Sequence, residues 1–295
     1  MRLGLINNMP DAARRATERQ FTDLVVEAVA PQSLDLVRLH LPSLGRPLDM
    51  TSQPAEALAE LDLDLLIVTG AEPRAENLRD EAYWGDFAHA VDLATDAGLP
   101  VLYSCLAAHA AVQHLFGVTR RRLRRKLSGV FQFPVLADHP WAVSLPDRLM
   151  APHSRWNALP VDALKRVGAS VLSQAPTGGV DAFTFGSLPG ALFLQGHPEY
   201  GADTLLREYK RDLSRHLTDP ALPAPTLPKH LLSAKASAAL AGRLEVCEAA
   251  LRASMPIAPW RASAVALFRR WLMPLTSPRR AHVADRLPML DASPG

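Results

Sequence analysis

Two short stretches of this sequence carry residue types that do covalent chemistry. In Pro100-Val101-Leu102-Tyr103-Ser104-Cys105-Leu106-Ala107-Ala108-His109-Ala110 an apolar strand ends at Cys105 and a helix of small residues starts directly after it. A thiol so placed meets the positive end of a helix dipole, which favours thiolate. The Leu106 N–H, first in the helix, has no intrahelical acceptor and can donate to a developing oxyanion. Taken alone, a single cysteine reads first as a small buried structural side chain. The second stretch, Leu192-Phe193-Leu194-Gln195-Gly196-His197-Pro198-Glu199-Tyr200, is another apolar strand running into a glycine turn, with His197 and Glu199 on either side of a proline. A thiol nucleophile needs a histidine base held by a third group, and Glu199 is a suitable carboxylate. Read together, the two stretches predict a Cys105–His197–Glu199 triad at strand ends, where α/β sheets bind ligands.

The elements that must position these residues follow an alternating pattern. Leu3–Ile6, Leu34–Leu39, Leu63–Val68 and Val101–Tyr103 are brief and apolar on both faces, as parallel strands buried between helices require. Between them, Thr17–Val29 and Tyr83–Ala94 place apolar residues at helical spacing. The order predicts an α/β fold with a doubly wound, mostly parallel sheet. After about residue 127 come shorter strands, Ser170–Leu172, Asp181–Phe185 and Ala191–Leu194, and a helix from about 202 to 216. The expected organisation is a catalytic domain over 1–217, a proline-rich linker over 218–230, where prolines forbid a helix, a helical extension over 231–275 and a loose tail over 276–295. In the extension, Leu231–Leu251 and Arg261–Leu272 read as amphipathic helices, placed to help cover the site.

Composition narrows the function classes. The chain has 295 residues, 48% hydrophobic, with 32 Lys+Arg against 30 Asp+Glu, a formal net charge of +2. Nothing in that balance calls for a nucleic acid or a membrane surface as partner. The run Arg120–Lys126 is the one dense basic cluster and reads as a solvated loop face, with phosphate binding as the other reading. Two cysteines, Cys105 and Cys247, make neither a disulfide framework nor a metal-binding spacing. The N-terminal residues read as a strand rather than a targeting signal, and no apolar stretch reaches the roughly 18 residues needed to span a bilayer. A reducing, cytoplasmic setting and no metal are the expectations.

The sequence resembles the homoserine O-acyltransferase family of methionine biosynthesis, on the class I glutamine amidotransferase-like fold. The matching stretches are Asn7-x-Met9-Pro10, Thr17-Glu18-x-Gln20, Thr69-Gly70-Ala71, Tyr83-Trp84, Lys126-Leu127-x-Gly129-Val130-Phe131, Pro152-His153-Ser154-Arg155, Gly196 to Tyr200 and Glu208-Tyr209-x-Arg211-Asp212, over about residues 2 to 275. The resemblance implies an acyl-thioester on Cys105, His197 as general base, Glu199 as its orienting partner, and acyl-CoA as co-substrate with no permanently bound cofactor. It places Lys126, Ser154 and Arg211 where the amino-acid substrate is held. A guanidinium suits a substrate carboxylate, although by residue type alone Lys126 belongs to the basic run and Arg211 pairs with Glu208 or Asp212 on a helix surface. The oxyanion donors implied are the N–H of Leu106 and one near Gly70-Ala71.

Three departures bear on the substrate. The related pattern Cys-Trp-Gly-Ala-Gln is here Cys105-Leu106-Ala107-Ala108-His109. A position that in the family goes with acetyl when glutamate and succinyl when glycine falls on Arg74, which we expect to read the far carboxylate of a succinyl group. A Ser-Lys-Asn stretch expected after the second strand is replaced by Pro42-Ser43-Leu44-Gly45-Arg46-Pro47. The resulting expectation is acyl transfer to the hydroxyl of L-homoserine, succinyl before acetyl, by a chain acting on small molecules, with a homodimer as an assembly open to it. The alternatives are L-serine as acceptor, a glutaminase or cysteine hydrolase of the same fold, and a catalytically silent binding protein.

Overall fold

The computed structural model describes residues 1–45, 51–234, 238 and 258–276. Its centre is an eight-stranded sheet built from β1 (Arg2–Ile6), β2 (Asp35–His40), β3 (Gln53–Pro54), β4 (Leu65–Val68), β5 (Val101–Ser104), β8 (Ala169–Ala175), β9 (Gly179–Phe185) and β10 (Leu192–Leu194). The order is β3-β2-β1-β4-β5-β10-β9-β8, parallel from β3 through β10 and antiparallel beyond. The four strands read first from the sequence are the middle of this sheet. β4 and β5 are buried at every residue, which explains why they lack apolar–polar alternation. From β1 the chain winds outward to β2 and β3, then returns to the other side of β1 at β4. That reversal opens a crevice at the carboxyl ends of β1 and β4.

Both faces are covered. On one lie α2 (Trp84–Asp96) and α3 (Leu106–Phe116), with Phe87, Val91, Ala107 and Ala111 packed on Val68, Tyr103 and Phe193. On the other, α1 (Asp11–Val29) packs Phe21, Leu24 and Val25 with Leu267, Phe268 and Trp271 of α6 (Arg261–Thr276) against Leu3, Leu5 and Ile67. The short α4 (Val161–Arg166) and α5 (Thr204–Thr218) complete the helices of the described residues. The expected helix over Arg261–Leu272 is therefore α6. The expected Leu231–Leu251 helix does not begin at Leu231, where 231–233 form a turn and irregular chain; most of it, and the tail beyond 276, lie outside the described residues.

One region departs from the sequence reading. Arg121–Lys126 do not form a loop face: they open β6 (Arg121–Pro134), which pairs antiparallel with β7 (Arg148–Ala158) in a separate two-stranded sheet. Six charged side chains in seven residues hide the strand, because the charge pattern carries no period of two. Farther along β6, Gly129 has φ +143°, and a Cβ there would stand 2.2 Å from the Lys229 carbonyl oxygen. Only glycine admits this approach. It lets Lys229 lie along the strand, donating its N–H to Ser128 O at 2.9 Å and accepting from Val130 N at 2.8 Å. The proline-rich segment before it is thereby drawn back across the molecule.

Candidate active site

Cys105 falls in the single-residue turn between β5 and α3. Its backbone, at φ 52° and ψ −108°, occupies a region that costs a non-glycine residue of order 1–3 kcal/mol. The turn is held on both sides. Cys105 N–H donates to Leu194 O of β10 at 2.7 Å, and Cys105 O accepts from His109 N at 3.2 Å. The alanines of α3 are what let this helix start so close to the sheet: Leu106 through Gln113 are all buried.

The bond to Leu194 also couples the two strands that carry the chemistry. Three residues beyond Leu194, His197 donates its N–H to Pro152 O at 2.8 Å. Its imidazole shares the cavity with Cys105, close enough for the two to interact electrostatically, and meets Glu199 Oε1 through Nδ1 at 2.9 Å. Tyr200 stacks on the imidazole, with centroids 4.2 Å apart and planes 17° apart, and donates its hydroxyl to Glu208 Oε1 at 2.9 Å. Burial by itself would lower the His197 pKa. Negative charge at Cys105 and at Glu199 outweighs it and holds the imidazole well above its usual value. The arrangement is that of a sulfur nucleophile with a base that accepts and returns its proton.

The loop after β4 forms the facing wall. Asn8, just past β1, donates its backbone N–H to Thr69 Oγ1 at 2.8 Å and its amide to Thr69 O at 3.0 Å, fixing Thr69-Gly70-Ala71. A Cβ on Gly70 would lie 3.0 Å from Leu106 N, so the loop runs past the first N–H of α3. This brings Gly70 next to the Leu106 N–H.

These groups line one cavity of about 580 Å³. Of the residues singled out in the sequence, Cys105, His197, Glu199, Lys126, Ser154, Arg211, Leu106 and Ala71 all line it. Lys126 Nζ stands 2.6 Å from Asp212 Oδ2, and Arg211 Nη2 2.8 Å from Asp212 Oδ1. Burial would raise the Asp212 pKa, but the two cations outweigh it and hold the carboxyl below its usual range. Arg74 stands apart: it is exposed and does not line the cavity. Of the two helices expected to help cover the site, α6 does not line the cavity and most of the other lies outside the described residues; Leu222–Thr226 of the proline-rich segment do line it.

The sequence reading missed Arg120, a cavity residue whose Nη2 donates to Ala75 O at 3.1 Å and Glu76 O at 3.2 Å, while Nε and Nη1 are buried without a hydrogen-bond partner among the described residues. Burial lowers its pKa below the usual guanidinium value. Nothing in the run of arginines distinguishes it from its neighbours. Two buried histidines were missed as well, His109 on the cavity wall and His153 outside its lining. His109 Nε2 meets Gln195 Oε1 at 2.9 Å, and burial drives its pKa down to about 3. His153 Nδ1 accepts from Arg155 Nε at 3.2 Å, and Nε2 lies 3.1 Å from Asp181 Oδ1 but off the line of a hydrogen bond. Burial lowers its pKa to about 4. Among the described residues no group of His, Cys, Asp or Glu is arranged to hold a metal ion, and no helix is long and apolar enough to cross a membrane.

The sheet, with a cysteine at the β5–α3 turn, defines an α/β protein of the glutamine amidotransferase-like class. A solved glutamine amidotransferase of Thermotoga maritima matches it with a TM-score of 0.54 at 17% identity, over 94% of this chain and 98% of its own. Within that class the chain belongs to the homoserine O-succinyltransferase family, whose profile matches residues 1–278. Two proteins named homoserine O-succinyltransferase illustrate the relation. One, from Methylorubrum extorquens, is 42% identical over 285 residues, 92% of this chain and 86% of its own length. The other, from Rhodopseudomonas palustris, is 42% identical over 296 residues, 93% and 88% respectively.

Proposed function

We propose that this chain transfers the succinyl group of succinyl-CoA to the hydroxyl of L-homoserine, through a succinyl thioester on Cys105, as a step of methionine biosynthesis in the reducing cytoplasm. The observation that carries the reading is the Cys105–His197–Glu199 relay opening into a cavity that also holds Lys126 and Arg211. Cys105 sulfur attacks the thioester carbonyl, and the Leu106 and Ala71 N–H groups take the oxyanion charge. The bond from the acyl carbon to the coenzyme sulfur breaks, and the proton first held by His197 goes to that sulfur. The homoserine hydroxyl then gives its proton to His197 and attacks the acyl-cysteine. The ester forms, and the proton returns to Cys105 as its bond to the acyl carbon breaks.

Substrate placement follows from charge. Lys126 and Arg211, preset by their shared partner Asp212, offer their remaining donors to the homoserine carboxylate, with Ser154 beside them. Glu208 Oε2, buried without a hydrogen-bond partner among the described residues, suits the ammonium group. The far carboxylate of the succinyl group goes to Arg120, whose Nε and Nη1 have no hydrogen-bond partner among the described residues and which lines the cavity, rather than to Arg74 outside it. Intact-mass spectrometry after mixing with succinyl-CoA tests the whole scheme. A succinyl adduct on Cys105 is expected, discharged by homoserine more readily than by serine; a chain that releases coenzyme A with no adduct, or an adduct that survives homoserine, overturns it.

A further inference from the structure

The β6–β7 ladder is broken beside the site. Arg122 pairs with Asn157 and Leu127 with Arg155, so Leu123, Arg124, Arg125 and Lys126 stand opposite Trp156 alone. In a regular strand successive side chains point to opposite faces. Here three consecutive ones, Arg124, Arg125 and Lys126, line the same cavity, because the bulge breaks the alternation and re-aims them. The bulge is pinned from across the ladder: the Arg122 guanidinium lies 5.0 Å from the centroid of the Trp156 ring.

The cations of the cavity wall differ in what already satisfies them. Lys126 and Arg211 hold Asp212, and Arg215 holds Glu72 through two hydrogen bonds. Arg155 is buried on His153, Asn157 O and Gly178 O. Arg120 is fixed to the carbonyls of the 75–76 loop. Arg124 and Arg125 are exposed, adjacent, and make no ion pair among the described residues. Two neighbouring unpaired cations at a cavity mouth repel each other and attract a multivalent anion.

We propose that Leu123–Arg125 of this bulge form the phosphate-binding rim of the site, with Arg124 and Arg125 gripping the diphosphate of a nucleotide-bearing acyl donor. This rests on the acyl-CoA reading above and adds to it where the donor's nucleotide end is held. Arginine forks suit phosphate oxygens, and a rim outside the reacting centre recognises the donor without touching the acyl carbon.

The test compares succinyl-CoA with S-succinyl-N-acetylcysteamine, a donor with the same thioester and no phosphate. In Arg124→Ala/Arg125→Ala the ratio of kcat/KM for the two donors is expected to fall about a hundredfold, about tenfold per arginine. Arg124→Lys/Arg125→Lys is expected to recover most of it. Because a ratio is measured, loss of folded enzyme does not move it. A ratio equal to the wild type overturns the proposal while leaving acyl transfer intact. A wild-type chain that accepts neither donor overturns the acyl-transfer reading itself, and the rim with it.

Discussion

Replacing His109 by glutamine, the residue of the related pattern, should make the protein more resistant to acid by a predictable amount. His109 and His153 are wholly buried, with pKa values driven to about 3 and about 4 against about 6.5 for an unfolded histidine. A histidine whose folded pKa is depressed stays neutral in the native state while the unfolded chain takes up a proton, so stability is lost as pH falls below the unfolded value. At pH 5 each is about 1.5 units below that value, and at about 1.4 kcal/mol per unit each costs about 2 kcal/mol relative to neutral pH. The pair costs about 4 kcal/mol, a large part of the 5–15 kcal/mol that ordinary domains possess. Local geometry agrees, since Arg155 already donates an N–H to His153 Nδ1 and a proton there would set two donors face to face. The assay is urea unfolding of wild type and His109→Gln at pH 7 and pH 5. Carboxylates and the other histidines titrate in both proteins and cancel. The variant should lose about 2 kcal/mol less than wild type between the two pH values. Equal losses would refute the buried-histidine account, whatever the absolute stabilities.

Gly70→Ala places a methyl 3.0 Å from Leu106 N and should lower kcat by about a hundredfold with little change in KM, as loss of an oxyanion donor does; a variant impaired in KM alone would remove that loop from the oxyanion site. Arg120→Leu should shift the kcat/KM ratio of succinyl-CoA to butyryl-CoA toward butyryl by at least about tenfold, since the lost contact is charge-assisted; an unaltered ratio would return the acyl carboxylate to another group.

Much of the site was legible because it sits where the chain changes element. Buried parallel strands write themselves as unbroken apolar runs, and a cysteine or histidine ending such a run lies at a sheet edge by geometry alone. The ladder bond between Cys105 and Leu194 then brings together residues far apart in sequence, which adjacency of the two strands achieves and spacing cannot announce. Arg120 and the Arg124–Arg125 pair were illegible for the opposite reason. They sit in one block of like residues, and their different surroundings depend on a bulge set by the partner strand. Tyr200 left a trace, following Glu199 directly, but its stacking on His197 is a tertiary fact. The proposed roles of Lys126 and Arg211 and their ion pairing with Asp212 are compatible, because a pair that presets two cations leaves donors over.

The return of the proline-rich segment across β6 has a consequence for how the chamber is completed. The nucleophile is supplied early in the polypeptide, but one side of its enclosure, Leu222–Thr226, comes from well downstream and is held there by backbone pairing through Lys229. A chain clipped ahead of Leu222 would retain sulfur, imidazole and carboxylate while leaving the thioester open to water, turning an acyl carrier into a wasteful hydrolase. In the proposed scheme, the Gly129 crossing thus ties commitment of the acyl group to the segment that runs through Lys229.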